Sequence, residues 1–327
     1  MRNVTSTATT PDEAPLLVGP IGEVAGRGLP SALDPVFPLL LAITDDELAA
    51  AAVRVTLALA RSKGAIPTVV RAFGEDQESE VIVSPFVGAV AEELFSPEFR
   101  NERRDSLQKR VASIAGDVRW RFEVSDQSPA HAVVELARQL NPGLIVMGLR
   151  HHGVVHRAVS RDMLRAVVRS TRLPVLAVRP ELLGLPRRIV VAIDFGAASI
   201  RAAGLARHLL AEDGEMCLVH VTSNTPDYVG RRITALRGHG PGWVREEMDR
   251  LIEDLSPSAG MKMTAVVADG DVRLSIEGCA QRVNADLLAV GSDYHSPLDR
   301  ILSGSVSMGL AHTARWSTLV VPSRYDE

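Results

Sequence analysis

The feature that most constrains this chain is an internal repeat of about half its length. Four pairs of identical residues each stand 143 positions apart, namely Asp126 and Asp269, Asn141 and Asn284, Leu144 and Leu287, and Leu176 and Leu319. A separation that stays constant over such a run indicates a duplication, and 327 residues is a usual length for two domains. We therefore predict similar domains over residues 36–180 and 187–327, preceded by a flexible Thr/Pro/Gly-rich tail over residues 1–35.

Short apolar runs alternate with helix-length segments in each half. The runs cover residues 39–43, 68–70, 119–124, 144–147 and 175–178, and then 189–194, 216–221, 263–268, 287–290 and 319–321. The main helical segments are predicted at residues 48–62, 107–114, 130–140 and 163–170, and then at 199–210, 244–255 and 274–283. Apolar strands separated by helices are typical of parallel sheets with helices on both faces. The predicted class is α/β, with two tandem five-stranded parallel sheets.

Composition narrows the function classes. Hydrophobic residues make up 46% of the chain and aromatic residues only 4%, which favours aliphatic packing. A net charge of −4 argues against nucleic-acid binding, which usually needs a clustered basic face. No apolar run approaches the length of a membrane span and the first residues lack a signal-peptide pattern, so we expect a cytoplasmic protein. The only cysteines, Cys217 and Cys279, are interpreted as buried apolar residues in a reducing compartment.

Residues 285–321 carry the most informative pattern. An apolar run stops at Gly291, a polar segment follows, and Gly304-Ser305 precedes a helix-length stretch and a last apolar run. Glycines let backbone N–H groups approach a phosphate, and a helix start adds unpaired donors, so the pattern indicates an anion site. The alternative is that both glycines serve only turns and packing.

These residues resemble the universal stress protein family, whose ATP-binding members carry Gly-x2-Gly-x9-Gly-Ser/Thr after the fourth strand. Gly291, Gly304 and Ser305 match that motif, Asp194 matches an acidic residue at the end of strand one, and Val221 matches a residue that packs on adenine; Gly270-Asp271 also fits. The resemblance implies a tandem member with Rossmann-like domains of strand order 3-2-1-4-5. It further implies that the two domains pair through their last strands, with a further homodimer left open.

The resemblance also implies a site in the second half that binds ATP or another adenine nucleotide, with the Mg²⁺ that accompanies such a ligand. The candidate cofactor-binding residues are Asp194, Val221, Gly291, Ser292, Tyr294, Gly304, Ser305 and Val306. Tyr294 replaces the second glycine of the motif and would either cover the phosphates or fill their place. For Asp194 the alternative is a cap of the following helix.

The first half departs from the motif. Arg161-Asp162 stand where the second half has Gly304-Ser305, and Thr44 stands where it has Asp194. Bulk and a carboxylate at a phosphate-facing position oppose an anion, so we predict a non-binding copy.

Two further clusters have open interpretations. His151, His152 and His156 suggest a metal site, a solvated loop or an interdomain contact. The basic segment of Arg231, Arg232, Arg237 and His239 suggests a lid or a solvated insertion. No catalytic motif was found, so the predicted function is a stress-response sensor or adaptor with unknown protein partners. The alternatives are a nucleotide-free interaction module and a slow nucleotide hydrolase.

Overall fold

The computed structural model describes residues 17–18, 38–43, 46–72, 96–148, 154–222, 241–255, 261–292 and 315–322. The strands are β1 (Leu17–Val18), β2 (Leu39–Ile43), β3 (Thr68–Ala72), β4 (Arg121–Ser125), β5 (Leu144–Gly148), β6 (Val175–Val178), β7 (Arg188–Ala192), β8 (Glu215–Thr222), β9 (Lys262–Asp269), β10 (Leu287–Ser292) and β11 (Ser317–Pro322). The helices are α1 (Asp46–Lys63), α2 (Pro97–Ala115), α3 (Pro129–Leu140), α4 (Val154–Thr171), α5 (Ala197–Leu209), α6 (Pro241–Leu255) and α7 (Val272–Arg282).

The strands form one sheet in the order β1-β9-β8-β7-β10-β11-β6-β5-β2-β3-β4. Within each half the order is 3-2-1-4-5, and neighbouring strands of the same half run parallel. The predicted α/β class with two Rossmann-like domains is therefore confirmed. In each half the order reverses between the first strand and the fourth.

The two halves join where β11 pairs antiparallel with β6. Leu319 lies opposite Leu176, the residue 143 positions earlier, with Thr318 opposite Ala177 and Val320 opposite Val175. Because equivalent leucines face each other at the centre, the pairing has the symmetry of a two-fold dimer interface. Without this pairing, both strands would be exposed apolar sheet edges, which promote aggregation; the pairing covers them.

Helices cover both faces of the sheet. On the first face, α1, α2, α5 and α6 pack against alternate strand residues, including Leu41 and Leu319. On the second face, α3, α4 and α7 pack against the intervening residues, including Leu40 and Val320. Each face holds one cluster that contains residues of both halves, so the hydrophobic core is continuous across the β6–β11 junction.

The strand registers show how the repeat is arranged. In the fourth strands, Leu144 and Leu287 are equivalent at the offset of 143. Their partners in the first strands are Leu39 and Ile189, so the first strands of the two halves correspond at an offset of 150 residues. The first half therefore holds seven more residues between its first and third strands. The repeat is strict only from the third strand onward.

Two predictions need correction. Part of the expected flexible tail is ordered, because Leu17–Val18 pairs antiparallel with Val266 and Val267 at the outer edge of the second half. The helix after β5 begins at Val154, not near Met163, so Arg161 and Asp162 lie inside α4 instead of at a helix start. Between residues 154 and 171 the sequence has no glycine or proline that would delay the helix.

The junction gives a direct test. Leu319 is fully buried, so Leu319→Glu places an unpaired charge between the halves and should lower the unfolding free energy by more than about 3 kcal/mol. Leu274→Glu, at a leucine that is 61% exposed, is the matched control and should change stability by less than about 0.5 kcal/mol. Urea unfolding measures both values, and X-ray scattering should show expansion only for Leu319→Glu. Unchanged stability and compactness of that variant would contradict the described packing.

Candidate functional site

The candidate site lies at the carboxyl edge of the second half, between β7 and β10. Ala192 is the Cα partner of Val290, so Asp194 and Gly291 follow neighbouring parallel strands at nearly the same level. Ligands of open α/β sheets bind at such a point, where the strand order reverses. The structure thus brings two of the predicted site residues together.

Asp194 organises the turn from β7 into α5. Its Oδ1 accepts hydrogen bonds from the backbone N–H of Gly196 at 2.9 Å and from the Ser199 hydroxyl at 2.5 Å. The Asp194 N–H in turn donates to Ser199 Oγ at 3.3 Å. Asp194 thus holds the turn that precedes α5, but it does not cap the helix, because Gly196 occupies the N-cap position and no side chain caps it.

Gly291 is needed for a close approach between β10 and α5. A Cβ at this position would lie 2.4 Å from Ser199 N and 2.7 Å from the carbonyl carbon of Ala198. Since real Cβ atoms do not come so near to backbone, a side chain here would push α5 off the sheet. Gly291 thus has a packing function, and through Ser199 it is linked to Asp194.

Val221 and Ser292 lie on the second face of the same edge. Val221 is half-buried near the end of β8, and Ser292 is buried at the end of β10. After β9, Gly270 has a φ of +115°, which favours glycine, and Asp271 caps α7 by accepting from the Leu274 N–H at 2.8 Å. The predicted site residues Tyr294, Gly304, Ser305 and Val306 lie outside the described residues.

Three aromatic residues that the sequence reasoning missed stand beside Asp194 on the first face. The Phe195 ring lies 4.9 Å from the His220 ring and 5.4 Å from the Trp243 ring. Phe195 has a φ of +59°, a strained conformation for a bulky residue, and this turn directs its ring toward the other two. No signal in the sequence could have located this cluster, because its three members are more than 20 residues apart in the chain.

His220 is held neutral in this cluster. Its Nδ1–H donates to the Ile193 carbonyl at 2.8 Å. Burial lowers the pKa of His220 below its ordinary value of 6.5, because the imidazolium loses hydration; the bond to Ile193 and the Asp194 charge act in the opposite direction. The site therefore presents an uncharged imidazole near neutral pH.

On the second face of the first half, the place equivalent to Val221 is a shallow depression with no room for a water molecule among the described residues. It is lined by Ala42, Ile43, Val70, Ala72, Pro129, Ala132, Val133 and Met163. By strand register Ala72 corresponds to Val221, and by the 143-residue repeat Met163 corresponds to Val306. None of the described residues that line it carries a charge.

Metal and membrane functions gain no support from the described residues. Within these residues no three His, Cys, Asp or Glu side chains stand close enough to hold a metal ion. His151 and His152 lie outside them, as do Arg231 and Arg237, whereas the backbone at His156 is helical. The helices in the described part of the chain all lack the length and apolarity that a membrane crossing requires.

Comparison with known proteins agrees with this architecture. A solved universal stress protein from Archaeoglobus fulgidus matches 88% of this chain and 97% of its own with a TM-score of 0.59 at 18% identity. A putative one from Pseudomonas aeruginosa matches 87% and 92% with a TM-score of 0.53 at 15% identity. At such identities the likeness shows the fold alone.

The sequence comparisons establish the family. The universal stress protein family profile matches residues 37–179 and again residues 186–322. A universal stress protein of Methanocaldococcus jannaschii is 34% identical over 104 residues, which span 30% of this chain and 61% of that relative. The chain has the double α/β architecture of a tandem protein. It belongs to the universal stress protein family, with one family domain in each half.

Gly291→Ala tests the packing at the site. The added methyl group meets the backbone of α5, so the unfolding free energy should fall by about 1–3 kcal/mol. Gly184→Ala is the control, because a Cβ there meets no atom within 4 Å and should change stability by less than about 0.5 kcal/mol. Chemical denaturation of both variants is the measurement. Equal stability would show that β10 and α5 do not approach as described.

His220 should make stability depend on pH. The pKa of His220 is lower in the folded chain than in the unfolded chain. As pH falls below 6.5, the unfolded chain therefore takes up a proton at His220 before the folded chain does. The unfolding free energy decreases over this range, down to the lowered pKa of the folded chain. His220→Asn keeps a donor for Ile193 but cannot titrate, so its loss of stability over the same window should be smaller. Denaturation series from pH 7.5 to 5 compare the two slopes. Identical slopes would mean that His220 is not buried as described.

Proposed function

We propose that the second half binds an adenine nucleotide, ATP or a close relative, and that the protein acts as a sensor or adaptor. One observation carries the proposal: Val221 and Gly291 lie at the ends of β8 and β10, Asp194 follows β7 between them, and all three reach one carboxyl edge at the reversal of strand order. In an α/β sheet this is where a nucleotide can contact several strand ends and a helix start together.

Asp194 is suited to a ribose hydroxyl. The two hydrogen bonds that its side chain accepts within the described part of the chain both use Oδ1. Its Oδ2 can therefore accept a ribose hydroxyl while Oδ1 keeps the turn into α5 in place. The hydrogen bonds that hold the turn are compatible with the ligand contact, since the two use different oxygens of the Asp194 carboxylate.

The first half supports the placement of the base. There Ala72 and Met163 line one apolar depression on the second face of the sheet. Since these residues correspond to Val221 and Val306, we expect the latter pair to contact the adenine ring from two sides. The phosphates would then extend toward the backbone of Ser292, Gly304 and Ser305, and Mg²⁺ would bind with them.

The first half is proposed not to bind nucleotide. Among the described residues its depression is lined by apolar side chains and has no room for a water molecule, whereas ligand pockets begin at roughly 300 Å³. The α4 backbone is already helical through Arg161 and Asp162, so these residues do not begin a helix and offer no free N–H groups at its start. The seven extra residues of the first half lie between its first and third strands, whereas Arg161 and Asp162 follow its fourth strand.

Binding to the proposed site can be measured by calorimetric titration with ATP, ADP and AMP. The unmutated protein should bind at least one of them, and Gly304→Arg, which copies the first half, should weaken binding tenfold or more because bulk replaces backbone donors at the phosphates. Arg161→Ala is the matched control in the first half and should leave affinity unchanged. Circular dichroism of each variant checks that the fold is retained.

The outcomes separate the candidate functions. An absence of heat for all three nucleotides would reject the proposal and favour a nucleotide-free interaction module. Binding that survives Gly304→Arg but is lost in Arg161→Ala would place the site in the first half. Release of inorganic phosphate from bound ATP would favour the slow hydrolase.

A further inference from the structure

The two cysteines of the chain meet inside the second half. Cys217 in β8 and Cys279 in α7 are 62 residues apart in sequence, and their Sγ atoms lie 3.6 Å apart. Both are free thiols, 5% and 2% exposed. We propose that a hydroperoxide converts this pair into an intramolecular disulfide, which makes the second half a redox-modifiable unit. The proposal does not depend on nucleotide binding.

The geometry is close to that of a bond. A disulfide has an S–S length of about 2.05 Å, so the two sulfurs need to approach by only about 1.5 Å. The bond would join the last turns of α7 to a central position of β8 in the apolar core of the second face. Since the chain has no third cysteine, an intrachain disulfide can form only between these two.

The surroundings distinguish the two sulfurs. The hydrogen bond from the Cys279 thiol is the main cause that lowers the pKa of Cys217, with help from Thr264 and the Arg282 charge and against the effect of burial. The same contact, together with burial, raises the pKa of Cys279. Cys217 is also the Cα partner of Thr264 in β9, whose hydroxyl donates to its sulfur, so we assign Cys217 as the nucleophile and Cys279 as the resolving thiol.

The reaction balances with the hydroperoxide as the oxidant. The Cys217 thiolate attacks the O–O bond, takes up one oxygen as sulfenic acid and releases an alcohol, or water from hydrogen peroxide. Cys279 sulfur then attacks the Cys217 sulfur and displaces its hydroxyl group, which leaves as water with the thiol proton. The two thiols lose two electrons in total, and the peroxide gains them.

The first half shows that the family fold forms without a cysteine pair at these positions. By strand register Thr68 corresponds to Cys217, and by the 143-residue repeat Leu136 corresponds to Cys279. A threonine and a leucine thus occupy the same positions of the same architecture. Packing alone does not explain why two sulfurs meet in the second half.

Burial sets the conditions under which the bond forms. Since both sulfurs are covered, an oxidant reaches them only when α7 opens locally from the sheet. Oxidation of the folded chain should consequently be slower than oxidation of the unfolded chain, but it should end in a disulfide because the resolving thiol is already in contact.

The test uses the full chain, reduced and then treated with hydrogen peroxide under native conditions. Remaining thiols are alkylated in denaturant and the intact mass is measured. We expect a monomer that has lost two hydrogen atoms and carries no alkyl group, a cross-linked peptide that contains Cys217 and Cys279, and full reversal by dithiothreitol. The disulfide should raise the melting temperature by about 5–10 °C, because it closes a loop of 62 residues.

Variants assign the order of the steps and control for folding. In Cys279→Ser a sulfenic acid should be trapped on Cys217 by dimedone, whereas Cys217→Ser should leave Cys279 unmodified. The double variant Cys217→Thr/Cys279→Leu copies the first half and should melt at the same temperature with and without peroxide. Complete alkylation of both thiols after native peroxide treatment, or disulfides that appear only between chains, would overturn the proposal.

Discussion

The antiparallel pairing of β6 with β11 is the interaction on which the rest of the structure depends. Each half ends in an apolar strand that would be an open sheet edge alone, and Leu176 facing Leu319 closes both edges at once. Because the pairing is antiparallel between equivalent strands, the carboxyl edges of the two halves point in opposite directions. The candidate site of the second half and the equivalent place in the first half therefore lie at opposite edges of one sheet.

This separation explains how one half can change without disturbing its partner. The shared cores depend on aliphatic residues at strand centres, whereas the candidate sites depend on residues just beyond strand ends. The second half has Asp194 at such a position, with aromatic rings beside it. On the second face of the first half, the described residues that line the depression are all apolar. Divergence at the strand ends leaves the junction and the cores intact.

Several residues of the candidate site stabilise the fold in addition to the ligand contacts proposed for them. Gly291 admits α5 close to β10, and Asp194 holds the turn that begins this helix. A motif of this kind is therefore partly a packing requirement of the fold, and its presence alone does not specify a ligand. What distinguishes the second half is the combination of that packing with a carboxylate at Asp194, where the first half has Thr44.

The sequence by itself determined the two-domain α/β architecture, because apolar runs and helix-length segments reflect local burial and repeat at a fixed offset. It also determined that Asp194 and Gly291 belong to one edge, since the ends of adjacent parallel strands meet there. It did not reveal the early start of α4 or the pairing of Leu17–Val18 with β9. Only the tertiary structure decided the contacts of Phe195 with His220 and of Cys217 with Cys279, because packing between elements far apart in sequence leaves no local pattern.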